Sequence, residues 1–197
     1  MAKSEPKTAI LIMDFINDIV NTDSAIAKAA ACVKQGHVIK HANAVIEFGR
    51  KKKLPIIFVK VGFSPNYIEC PDQPTSLFRQ VPSFKAYQLG TWGTEFHPDL
   101  DYQKGDTVVT KHRISAFYAT DLEAILRAQE INQLVLCGVS TDLVVQTTAR
   151  DAHDRDYEVI VITDACAADD EQTSNNVFSL LGKVARLTTC QSFLLGN

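Results

Sequence analysis

INQLVLCGVSTDLVVQTTARDAHDRDYEVIVIT, residues 131–163, decides the fold class. The apolar run Ile131 to Cys137 is a strand that ends at Gly138, Asp142 to Arg155 reads as a helix, and Glu158 to Thr163 is a second strand. Both runs are continuously apolar rather than alternating, as expected of strands covered on both faces. Strand, helix, strand is the unit that joins neighbours in a parallel sheet.

The same alternation extends in both directions. Thr8 to Met13 (TAILIM) is a strand that delivers Asp14, Ile56 to Val61 (IIFVKV) is another, Asp106 to Thr110 (DTVVT) delivers Lys111, and Val184 to Leu187 is a last short strand. A helical stretch covers about Ala25 to Lys52, as one piece or as two meeting near Gly36. Val38, Ala42, Val45, Ile46 and Gly49 form its apolar stripe, and Leu54 and Pro55 end it. Further helices are expected over Asp121 to Gln129, with Thr120 as cap, and over Glu171 to Gly182 after a turn from Ala165 to Asp170. Six strands separated by helices predict an α/β protein: a Rossmann-like, three-layer αβα sandwich with a mainly parallel six-stranded sheet. With 197 residues, 46% of them hydrophobic, and no visible linker, the whole chain 1–197 is expected to form one domain.

Composition narrows the function. Twenty Lys and Arg against 23 Asp and Glu give a net charge of -3, and the one basic run, Arg50 to Lys53, sits at a helix end where cations complement the dipole. No nucleic-acid partner is expected. Five widely spaced cysteines in no CxxC pattern exclude a disulfide scaffold or a structural zinc site. The polar start, Met1 to Lys7, reads neither as a signal peptide nor as a membrane span, so a cytoplasmic protein without a membrane partner is expected. No GxGxxG, GxxxxGK or GxSxG motif occurs, and the five histidines lack ligand spacing, so neither cofactor nor metal is expected.

In open α/β sheets ligands bind beyond the carboxyl ends of the strands. Asp14 and Lys111 are both delivered to that edge, where they form either a proton-handling pair or a plain ion pair. The turn Cys137 to Asp142 (CGVSTD) offers helix-start amides to an anion or oxyanion, with Gly138, Val139, Ser140 and Thr141 as binding candidates. Helix capping is the competing role for Ser140 and Thr141. The segment Gly62 to Asp99 is aperiodic and carries Tyr67, Phe78, Phe84 and Trp92, aromatic groups able to cover a pocket or to pack a surface loop.

The stretches ILIMDFINDI around Asp14, VVTKHRISAFYATDLEAIL around Lys111, and LVLCGVSTDLVVQTTARDAHDRDYEVIVITDACAA from Leu134 to Ala168 resemble the isochorismatase-like hydrolases, a superfamily that also holds nicotinamidases and N-carbamoylsarcosine amidohydrolases. The resemblance runs from about residue 8 to 190. It implies an αβα sandwich, assembly into homodimers or homotetramers, and a small-molecule substrate. It further implies that Asp14 is the acid or base and that Lys111 steadies charge. The amidase members carry a cysteine nucleophile in a pattern that reads roughly G-V-x-T-x-x-C-V-x-x-T-A-x-D-A. Laid on this chain, that pattern puts the nucleophile position at Val144, which has no group able to attack a carbonyl.

Other departures accompany Val144. A glutamine of the isochorismatases proper falls near Val61, the Asp and His metal ligands of nicotinamidases are missing from Gly62 to Pro65, and Ile16 replaces a glutamine while Asn17 and Asp18 remain. These changes favour a small, partly hydrophobic ligand, with Phe15, Asn17, Trp92, Phe117 and Tyr118 as candidate contacts. The leading expectation is a metal-free hydrolase that uses Asp14, Lys111 and a water nucleophile. Two alternatives stand beside it: an inactive binding or structural homologue, and a thiol amidase with its cysteine relocated to Cys137 or Cys166.

Overall fold

A computed structural model describes residues 6–196; the beginning of the polar stretch Met1 to Lys7 lies outside the described residues. Six strands form one sheet: β1 (Thr8–Met13), β2 (Ile56–Val61), β3 (Thr107–Lys111), β4 (Gln133–Val139), β5 (Glu158–Ala167) and β6 (Arg186–Thr188). Their order across the sheet is β3-β2-β1-β4-β5-β6, and every pairing is parallel. The chain therefore reverses its winding direction between β1 and β4, where Met13 lies opposite Gly138.

Alternate strand residues feed two apolar clusters. Leu11, Met13, Val59, Leu136 and Val161 pack on the face covered by α4 (Leu122–Ala128), α5 (Gln146–Asp154) and α6 (Glu171–Leu181). Ile10, Ile12, Phe58, Cys137 and Ile160 pack on the other, beneath α2 (Ala30–Gln35), α3 (Val38–Lys52) and α7 (Cys190–Leu194). The result is the expected three-layer sandwich. Each fully buried aliphatic side chain contributes about 1.5–3 kcal/mol, so these two faces supply most of the stabilisation. Among the described residues no helix is long and apolar enough to cross a membrane.

Several element boundaries differ from the sequence expectation. The stretch 25–52 is helical only from Ala30, and it breaks after Gly36, where His37 takes a left-handed φ of 51°. β5 runs on to Ala167 instead of turning at Ala165, because a register shift between Leu136 and Gly138 lets Cys166 and Ala167 pair with Gly138 and Val139. The helix expected from Asp142 opens as a π-helical turn, Thr141–Val145, before α5 begins. Thr120 lies one residue before the cap position of α4, yet its Oγ1 accepts the Leu122 N–H at 3.3 Å. The short helix α1 (Asn17–Val20) and the C-terminal α7 carried no legible signal because neither is long enough to show a period.

Candidate functional site

Asp14 is the first residue beyond β1 and holds a φ of 60°, in the left-handed region. Asp is among the few non-glycine residues that tolerate this region, because its short polar side chain bonds locally. Its N–H donates to the Val59 carbonyl at 2.8 Å, and the turned backbone directs the carboxylate across the end of β2, where Oδ1 accepts the Val61 N–H at 2.7 Å. Oδ2 meets Lys111 Nζ at 2.8 Å. Lys111 closes β3, two strands from Asp14, a span of roughly 9–10 Å at the usual strand spacing. Only a long side chain crosses that span. The intervening Val61 is small, and Lys111 Nζ also donates to the Arg113 carbonyl at 3.1 Å.

Both charged groups are nearly sealed, at 3% exposure for Asp14 and 2% for Lys111. Burial raises the Asp14 pKa above the ordinary carboxylate value despite the opposing attraction of Lys111 and the Val61 N–H. A carboxyl group that holds its proton beside an ammonium can give that proton up, because the ammonium stabilises the anion left behind.

The pair forms the floor of a cavity of about 540 Å³, within the usual size of small-molecule sites. Val61 and Val144 lie in its wall, as do Val139 and Ser140, whose connecting peptide is cis. The roof comes from the segment 62–99. Phe63, Phe78, Val81 and Ala86 pack with Ile16 and Val61 in a third apolar cluster above the sheet, and Phe63 exchanges backbone hydrogen bonds with Tyr87 and Leu89 at 2.8 Å. Phe78 and Phe84 line the cavity, as the aromatic content of this segment suggested.

The structure thus brings Asp14, Lys111, Val144, Val139 and Ser140 together. The other candidates lie elsewhere. Phe15 follows Asp14 on the opposite side of the chain and is buried in the α3-side cluster. Asn17 is buried and structural: it donates to the Trp92 carbonyl at 2.9 Å and accepts from Asn21 at 3.0 Å. Trp92 is half-exposed outside the cavity, and Tyr118 points to solvent. Phe117 stacks on Tyr157 with Arg155 over its ring. Gly138 serves close packing, since a Cβ there would stand 3.0 Å from Met13 atoms, and Thr141 contacts Ser174 at 3.3 Å. Neither Ser140 nor Thr141 caps a helix with its side chain.

Sequence reasoning noted Asp18 only as a retained motif residue and did not single out Lys28, Tyr87 and Asp169; all four line the cavity. Lys28, Tyr87 and Asp169 come from irregular segments and Asp18 from a four-residue helix, where no period signals orientation.

Cys137 and Cys166 are buried and stand outside the cavity lining; burial pushes the Cys137 thiol well up and Cys166 up to about 12. A thiol in that state is a poor nucleophile. The step after β2 carries Gly62, Phe63, Ser64 and Pro65, and among the described residues no three His, Cys, Asp or Glu side chains are grouped to hold a metal. The residues present do not fit a metal centre like that of the nicotinamidases.

Comparison with known proteins agrees with this geometry. Residues 8–192 match the model of the isochorismatase domain. The chain is 31% identical over 189 residues to the uncharacterised isochorismatase family protein YwoC of Bacillus subtilis, covering 95% of this chain and 93% of that one. It is 33% identical to YecD of Escherichia coli O157:H7, another uncharacterised isochorismatase family protein, over 80% of this chain and 81% of that one. Among solved structures, N-carbamoylsarcosine amidase from Thermoplasma acidophilum superposes with a TM-score of 0.72 at 29% identity, over 93% of this chain and 96% of that one. The chain belongs to the isochorismatase family, a family of hydrolases that act on small organic molecules.

Proposed function

We propose that the protein hydrolyses a small, partly hydrophobic organic molecule through Asp14 as general acid, Lys111 as charge stabiliser and water as nucleophile, with no covalent intermediate. The observation that carries this reading is the buried 2.8 Å contact between Asp14 and Lys111 at the floor of a cavity whose wall has Val144 at the nucleophile position of the amidase members.

For a vinyl ether, the protonated Asp14 carboxyl donates its proton to the double-bond carbon, a C–H bond forms, and the ether carbon becomes an oxocarbenium ion. The Asp14 carboxylate left behind is held by Lys111 Nζ and the Val61 N–H. Water adds to the cation and returns a proton to Asp14. The hemiketal then collapses to a carbonyl compound and an alcohol.

Supporting the acid role is the raised pKa of Asp14, which keeps the proton available at higher pH than an exposed carboxyl would. The sign follows: turnover is fastest where Asp14 is protonated and falls as pH rises through its folded pKa. Asp14→Asn is expected to lower turnover by about 10²–10⁴-fold and to remove that limb of the pH profile. The check is a pH–rate series on a panel of vinyl ethers, esters and amides. Turnover that survives Asp14→Asn unchanged, or a panel with no turnover at all, refutes the reading; the latter result favours a binding protein without catalysis.

A further inference from the structure

The charges in the cavity wall point to the class of molecule it accepts, an inference that rests on the reading of this cavity as the reacting site. Two ammonium groups line it, and one of them, Lys111, is already paired. Lys111 Nζ is held by Asp14 at 2.8 Å and by the Arg113 carbonyl at 3.1 Å, and Lys28 lies within electrostatic reach of Asp169. Asp18 makes no ion pair among the described residues; its Oδ2 accepts the Tyr87 N–H at 2.8 Å and its Oδ1 faces the Ser24 hydroxyl at 3.5 Å.

Three carboxylates against two ammonium groups leave the wall one negative charge in excess, and protonation of Asp14 brings it only to neutrality. Between these groups the surface is apolar, with Ile26, Phe78, Val81, Ile114 and Leu143. A carboxylate that entered would shed its hydration, find no surplus positive charge and meet Asp18. An uncharged molecule pays none of those penalties.

One donor remains open. The Tyr87 hydroxyl belongs to a side chain that lines the cavity and makes no hydrogen bond among the described residues. Burial, followed by the carboxylates of Asp14, Asp18 and Asp169, raises its pKa to about 12, so it stays protonated. A phenol in that state donates to an acceptor oxygen.

We propose that the cavity selects an uncharged substrate with an apolar body and one hydrogen-bond-accepting oxygen, with Tyr87 as the donor to that oxygen and Asp18 as the residue that excludes anions. A dicarboxylate is the class this wall disfavours most.

The test compares naphthylacetamide with naphthylacetate, nearly identical in shape and different in charge, by calorimetric or ligand-observed NMR titration of the full chain at neutral pH. The amide is expected to bind about tenfold or more tightly than the acid. Asp18→Asn, which keeps an oxygen for the Tyr87 N–H, is expected to narrow that gap to about threefold, mainly by tightening the acid. Tyr87→Phe should weaken the amide about fivefold and leave ethylnaphthalene, which has no acceptor, unaffected. Equal or tighter binding of the acid, a gap untouched by Asp18→Asn, or failure of the amide to bind overturns the inference. Failure of the catalytic reading looks different: amide selectivity persists while Asp14→Asn changes no turnover.

Discussion

Val144 is 2% exposed and stands in the cavity wall with Asp14 and Lys111. At this position a thiol would face the same space as the acid and the amine. Val144→Cys is nearly volume-conserving, so its effect on stability is expected to stay within about 1 kcal/mol. The new thiol should alkylate with iodoacetamide faster than Cys137 and Cys166, whose burial keeps them protonated, and an occupied cavity should slow it. Mass spectrometry of labelled peptides, with and without naphthylacetamide, checks both statements. Asp14, Lys111 and Val144 were legible in sequence because each sits at a strand end or in a motif of fixed spacing. The candidate contacts Phe15, Trp92, Phe117 and Tyr118 were not, because an aromatic side chain is equally at home in a core, on a surface and in a pocket wall, and only its direction separates them. Phe15 and Phe117 pack into cores, while Phe78 and Phe84 line the cavity.

The elements carry their own lesson in α3 and β3. Arg50, read from sequence as part of a basic helix end, also makes two hydrogen bonds to the Asp106 carboxylate at 2.9 and 2.7 Å and one to the Asp101 carbonyl at 2.9 Å. This contact ties the end of α3 to the turn that feeds β3 and therefore Lys111. The hydrogen bonds from Arg50 hold the Asp106 pKa below the ordinary carboxylate value, outweighing its partial burial. The folded state thus favours ionised Asp106. The resulting stability is fully present above the unfolded value and is lost as pH falls from there through the depressed folded pKa. Arg50→Met is expected to cost about 1 kcal/mol at neutral pH, the upper end for partly exposed pairs, with the gap to the parent closing in acid. Urea titrations of both proteins across the acid range measure it. Sequence could place a basic residue on the helix end, but its partners lie 51 and 56 positions away and carry no local signal.

Over the whole molecule, the strand order puts the reversal of winding between β1 and β4, and the cavity opens above that crevice, as open α/β sheets require of a ligand site. Its roof rests on Phe63, fully buried at the centre of the third cluster, in ring contact with Tyr67, Phe78 and His112. Phe63→Ala is expected to destabilise the protein by about 3–5 kcal/mol. Because Phe63 lies outside the two sheet clusters, far-UV circular dichroism should change little while ligand affinity falls. Calorimetric melting together with the amide titration separates these effects, and unchanged affinity would show that the roof does not depend on this packing.

What the sequence determined by itself is the part written in short-range pattern: apolar runs that must be buried on both sides, helices between them, and the acid and amine that follow two of those runs. Period and spacing are local properties, and they survive without knowledge of the rest of the chain. The tertiary structure alone decided that Asp14 and Lys111 meet across β2, that Asp18, Tyr87, Lys28 and Asp169 join them, and that Cys137 and Cys166 do not. Those outcomes depend on contacts between residues far apart in the chain and on the direction each side chain takes, which in irregular segments no periodicity records.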